Sequence, residues 1–92
     1  MKVTAKIVAR YTKEGRLKGI ATVCLGNEFL ITGVRIVDGA RGLAVFMPSR
    51  KINEEAYKDI CFPITEPLHR QIKDAVLSAY ASAGTEGVED AP

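Results

Sequence analysis

The sequence predicts a single α+β domain: an antiparallel meander of four to five β-strands with one C-terminal α-helix packed on one face. Three observations lead there. Apolar segments of strand length recur between turn signals through the first half of the chain. Only one later stretch carries apolar residues at helical spacing. The chain has 92 residues, 47% of them hydrophobic, enough for one core. The domain is expected over residues 1–83, with a short acidic, unstructured tail at 84–92.

The first strand is predicted over residues 3–11. Val3, Ala5, Ile7, Ala9 and Tyr11 alternate with Thr4, Lys6, Val8 and Arg10. Lys13-Glu14-Gly15 signals a turn, and residues 17–25 return as the second strand. Pairing Ile7 with Ala21 and Tyr11 with Leu17 keeps both apolar faces on one side; a slip of one residue would turn every side chain over. This register sets Arg10 opposite Lys18. Gly26-Asn27 is the next turn. Residues 29–37 and 43–47 are apolar on both faces, the pattern of strands covered from two sides. Pro48 ends the ladder because it has no N–H to donate.

Residues 49–58 are predicted as a polar, charged loop, and residues 57–62 as a short edge strand. The helix is expected over residues 66–81, with Thr65 as N-cap and Glu66 and Pro67 in the first turn. Leu68, Ile72, Ala75, Val76 and Ala79 share one face, and Gly84 stops the helix. A helix of about 16 residues is roughly 24 Å long and covers one face of a four-stranded sheet. The third and fourth strands are apolar on both faces, so a second copy of the chain is expected on the other.

The N-terminal residues alternate rather than forming an apolar leader, and no apolar run approaches the roughly 20 residues that span a bilayer. A cytoplasmic protein without membrane insertion is expected. Cys24 and Cys61 are then free thiols acting as buried small hydrophobes. Charge is uneven. Residues 1–51 hold ten Lys/Arg and three Asp/Glu, or +7; residues 52–92 hold three and eight, or −5; together they give the net +2. A basic half of this kind fits an anionic partner or a second protomer.

No enzyme is expected. His69 is the one histidine, and no nucleophile or acid–base pair accompanies it. Cys24, Cys61 and His69 lack ligand spacing, so no metal is expected, and no cofactor. Gly39-Ala40-Arg41-Gly42 joins two strands and lacks the Lys-Ser/Thr of a phosphate-binding loop. The basic residues say more. Lys2, Lys6, Arg10, Arg16 and Lys18 all fall at even positions of the first hairpin. Arg50 and Lys51 follow Pro48-Ser49 where a covered strand emerges. There Ser49 and the backbone could contact phosphate, and Arg50 a base edge. Arg70 and Lys73 project from the helix away from Leu68 and Ile72, with Leu77 beside them.

The segments EGRLKGIATVCL, EFLITGVRIVDG, GLAVFMPSRK, YKDICFPI and RQIKDAVLSAY, in this order and spacing, resemble the stage V sporulation protein G (SpoVG) family, also called septation proteins. The resemblance runs from Met1 to about Ala81. It implies a dimerising α+β domain that binds DNA site-specifically, and RNA in some members. It also implies a part in septum formation, sporulation and gene expression. Arg50 and Lys51 match the family's basic DNA-contacting positions, with Arg70 and Lys73 as a secondary contact. Two departures stand beside them. Residues 52–56 (Ile-Asn-Glu-Glu-Ala) replace a Pro-Asp-Gly-type turn, and Phe62 replaces a histidine before Pro63-Ile64. The competing expectation is a protein-interaction module of the division or envelope machinery, docking through the same basic surface.

Overall fold

The computed structural model describes residues 1–12 and 14–82. The chain forms β1 (Val3–Arg10), β2 (Leu17–Leu25), β3 (Phe29–Gly39), β4 (Gly42–Phe46), β5 (Ser49–Asn53), β6 (Ala56–Asp59) and α1 (Glu66–Ser82). Strands β1 to β4 make one antiparallel sheet in sequence order, and β5 and β6 make a separate two-stranded sheet. The architecture is the expected α+β meander with a C-terminal helix. The expected acidic tail and the stop at Gly84 lie outside the described residues. No helix among the described residues is long and apolar enough to cross a membrane.

Turn chemistry sets the meander. Gly26 and Asn27 both take positive φ, 61° and 59°, and Glu28 N–H donates to Leu25 O at 3.1 Å. That is the primed turn that suits a right-twisted hairpin. The β3–β4 turn closes on the pair Gly39 and Gly42, with Gly42 at φ 117°.

One face of the sheet carries α1. Ala21, Val23, Ile31, Val34, Ile36 and Met47 meet Ile72 and Val76 there in a buried core. Val3, Ala5, Ile7, Leu68 and Tyr80 pack around it. The helix starts as expected: Thr65 Oγ1 accepts from Leu68 N–H at 3.4 Å, and Thr65 O accepts from His69 N–H at 3.0 Å. Leu77 is half-buried rather than exposed, and Cys24 and Cys61 are half-buried free thiols rather than core residues.

The first hairpin departs from the expected register. Ile7 does face Ala21, but a bulge follows at Val8, so Ala9 faces Ile20 and Arg10 faces Gly19. Tyr11 N–H donates to Lys18 O at 3.0 Å instead of Tyr11 facing Leu17. A bulge adds one residue to one strand and reverses the alternation beyond it. Arg10 therefore leaves the row of exposed lysines and turns to the helix side, where it is 8% exposed. Its Nη2 donates to Tyr80 O at 2.6 Å, and its guanidinium lies 4.1 Å from the centre of the Tyr80 ring. Tyr80 O is among the last four carbonyls of α1, which have no intrahelical partner. The last turn of α1 holds no basic residue of its own, and Arg10 supplies the cation from β1.

Candidate nucleic-acid interface

The segment expected as a loop, residues 49–58, is a β-hairpin. Ser49 pairs with Asp59, Arg50 with Lys58, Lys51 with Tyr57 and Asn53 with Ala56. The short strand expected over residues 57–62 is β6, which pairs with β5 rather than edging the main sheet. The turn is made by Asn53, whose Oδ1 accepts from Glu55 N–H at 2.8 Å. An asparagine side chain mimics the backbone of a turn in this way, so a Pro-Asp-Gly sequence is not required. Local chemistry thus gives the ribbon its tip even though neither strand has an apolar face to bury.

Ile60 N–H donates to Pro48 O at 2.8 Å and extends the ribbon's own ladder by one pair, while Arg35 Nη2, from β3, donates to Ser49 Oγ at 3.1 Å and ties the ribbon's base to the main sheet. Arg35 also lies over Phe46, its cross-strand partner, with 5.6 Å from guanidinium carbon to ring centre.

Strand alternation separates the two candidate contacts of β5. Arg50 shares one side of the ribbon with Lys58, while Lys51 shares the other with Tyr57. Lys51 Nζ stands 3.9 Å from Glu54 Oε1, both well exposed. Arg50 and Lys58 are exposed and make no ion pair among the described residues. Like charges directly opposite cost a few tenths of a kcal/mol in an isolated ribbon, and an anion across the pair removes that cost. Lys58 was not singled out by sequence reasoning. Its signal is positional, and only the hairpin register makes it a neighbour of Arg50.

The helical candidates lie elsewhere. α1 packs on β1, β2 and β4. Arg70 is exposed and its Nη2 is bound to Glu66 Oε2 at 3.2 Å. Lys73 lines a notch with His69 and the β3–β4 turn. The structure therefore gathers Ser49, Arg50 and Lys51 on one ribbon and leaves Arg70 and Lys73 on the helix. Among the described residues, no group of three or more His, Cys, Asp or Glu is placed to hold a metal ion.

A small meander with a helix on one face and an exposed, densely charged two-stranded ribbon beyond its last strand defines an α+β protein whose distinctive surface is that ribbon. The chain belongs to the SpoVG family, whose sequence profile matches residues 1–82. It is 36% identical over 92 residues to the "Putative septation protein SpoVG" of Lachnoclostridium phytofermentans, covering 99% of each chain. It is 37% identical over 83 residues to that of Clostridioides difficile, 90% of each. To that of Oceanobacillus iheyensis it is 38% identical over 88 residues, 96% of this chain and 92% of the relative. The family is named for sporulation and its members for septation.

Proposed function

We propose that this protein is a non-enzymatic, homodimeric regulator that binds DNA, and RNA as a second polymer, through the β5–β6 ribbon. The carrying observation is the exposed cross-strand pair Arg50 and Lys58 on a two-stranded ribbon separate from the main sheet. The major groove of DNA admits a two-stranded β-ribbon, and an arginine there can bond both guanine acceptors. Lysine and arginine on phosphates supply affinity by releasing counterions. Ser49, tied to Arg35, fixes the base of the ribbon, and Lys51 and Tyr57 form its second side. Septation, sporulation and control of gene expression are the processes it would serve in a bacterial cytoplasm.

The test is fluorescence anisotropy with labelled duplex DNA and single-stranded RNA of mixed sequence over a series of salt concentrations. The Arg50→Ala/Lys58→Ala variant should bind more weakly, and its log affinity should fall less steeply with log salt, by about 2 in slope for two lost phosphate contacts on DNA. Both side chains are exposed, so the circular dichroism spectrum should not change. One observation favours the other reading, a protein-interaction module. The ribbon carries Glu54, Glu55 and Asp59 beside Arg50, Lys51 and Lys58, so its formal charge is zero. No binding to either polymer at tens of micromolar protein would select that module.

A further inference from the structure

A second concave site lies on the helix side of β4, and it stands whether or not the ribbon contacts nucleic acid. One wall is the β3–β4 turn and the strand after it, residues 39–45. The other is the beginning of α1, which presents His69 and Lys73, four residues apart and so on one helix face. The notch measures about 470 Å³, in the range of roughly 300–1,000 Å³ that small-ligand sites occupy.

Its lining is one-sided in charge. Arg41, His69 and Lys73 converge from two elements, and no carboxylate lines the notch. Neither Arg41 nor Lys73 makes an ion pair among the described residues, whereas neighbouring Arg70 is neutralised by Glu66. Asp38 faces Leu43 across the ladder on the same side of the sheet, yet it is not a wall of the notch. Asp74 follows Lys73 on α1 and is likewise absent from the lining. Leu43 and Val45 add apolar surface beside the cations. The turn holding Arg41 is closed by Gly42 at φ 117°, a conformation that side chains rarely adopt, so glycine is required at that corner of the notch wall.

Unpaired arginine and lysine beside apolar surface match a ligand with a phosphate at one end and a flat, weakly polar body at the other. Arginine offers phosphate a planar fork, and lysine adds a point charge. We propose that this notch binds the phosphate of a phosphorylated nucleoside, either a mononucleotide or the 5′-phosphorylated end of a strand. Arg41 and Lys73 hold the phosphate, and His69, Leu43 and Val45 bear on the nucleoside.

The experiment is a ¹H–¹⁵N NMR titration of the full chain. The ligands are AMP, adenosine, inorganic phosphate, and two DNA hexamers of one sequence ending in 5′-phosphate or 5′-hydroxyl. AMP or the phosphorylated hexamer should shift amides of residues 39–45 and 69–73, and adenosine should not. Binding of AMP identifies the mononucleotide as a source; binding of the phosphorylated hexamer alone identifies the strand end. The Arg41→Gln/Lys73→Gln variant should lose about tenfold or more in affinity, the size expected for losing charge-assisted bonds to one anion. The Arg50→Ala/Lys58→Ala variant should keep this binding, which separates the notch from the ribbon. Three results would overturn the proposal: equal shifts from both hexamers without any from AMP, shifts that persist in Arg41→Gln/Lys73→Gln, or inorganic phosphate as effective as AMP.

Discussion

Arg10, Gly19 and Tyr80 form one unit. A Cβ on Gly19 would sit 3.0 Å from Ala9 O, 3.4 Å from the Tyr80 ring and 3.5 Å from Ile36 Cδ1. The absent side chain is what lets Tyr80 lie down on the sheet and Arg10 reach the helix end. Burying a guanidinium is costly, and Arg10 Nε has no partner among the described residues; the bond to Tyr80 O and the ring contact offset that cost. Arg10→Ala should destabilise the fold by about 2 kcal/mol, combining a lost charge-assisted bond with a lost cation at the helix C-terminus. Arg10→Lys should fall between the two, since it keeps the charge and loses the planar fork. Urea unfolding monitored by circular dichroism measures both, and an unchanged midpoint for Arg10→Ala would show that the guanidinium does not cap α1. The sequence carried half of this arrangement. Alternation set the pairing correctly up to Ile7, and nothing in Ile7-Val8-Ala9 marks the extra residue that turns Arg10 inward.

At the scale of elements, the ribbon was the hardest part to read. Strands announce themselves by burying one face, and β5 and β6 bury almost nothing: Ile52 and Tyr57 are exposed beside the charged residues. Polar composition therefore looked like a loop. Asn53-Glu54-Glu55 was the available signal, a turn-forming asparagine between two short segments of mixed character. Arg50 and Lys51 were legible as exposed cations; their separation to opposite sides was not, because that depends on pairing. Orientation of the ribbon rests on Arg35. Arg35→Ala removes the donor to Ser49 Oγ and the cover over Phe46. Amide exchange in β5 and β6 should accelerate while that of β2 and β3 stays slow, and DNA affinity should drop although Arg35 lies in the main sheet. Unchanged exchange in the ribbon would mean that its own ladder, including the bond from Ile60 N–H to Pro48 O, holds it without Arg35.

The whole molecule has an unused face. Opposite α1, the sheet exposes Leu30 at 62%, Phe46 at 47% and Val8 at 47%. Leu17, Val37, Phe46 and Tyr57 line a groove bordered by Arg16 and Asp59. This is the second apolar face that the double-sided patterns of β3 and β4 implied. The groove carries both signs of charge at its border, so a two-fold partner can set Arg16 of one copy against Asp59 of the other, as an isologous interface requires. The helix side of the sheet has no such need, because Ile72 and Val76 already close it. The protein should therefore sediment as a dimer at micromolar concentration. Leu30→Asp should give a monomer with a native circular dichroism spectrum, since Leu30 is largely exposed within one chain and its replacement leaves the core intact. Ribbon-mediated binding would weaken with it, because two linked ribbons engage one duplex with a high effective concentration for the second. A wild-type chain that sediments as a monomer would remove the dimer, and the open face would then need a different partner.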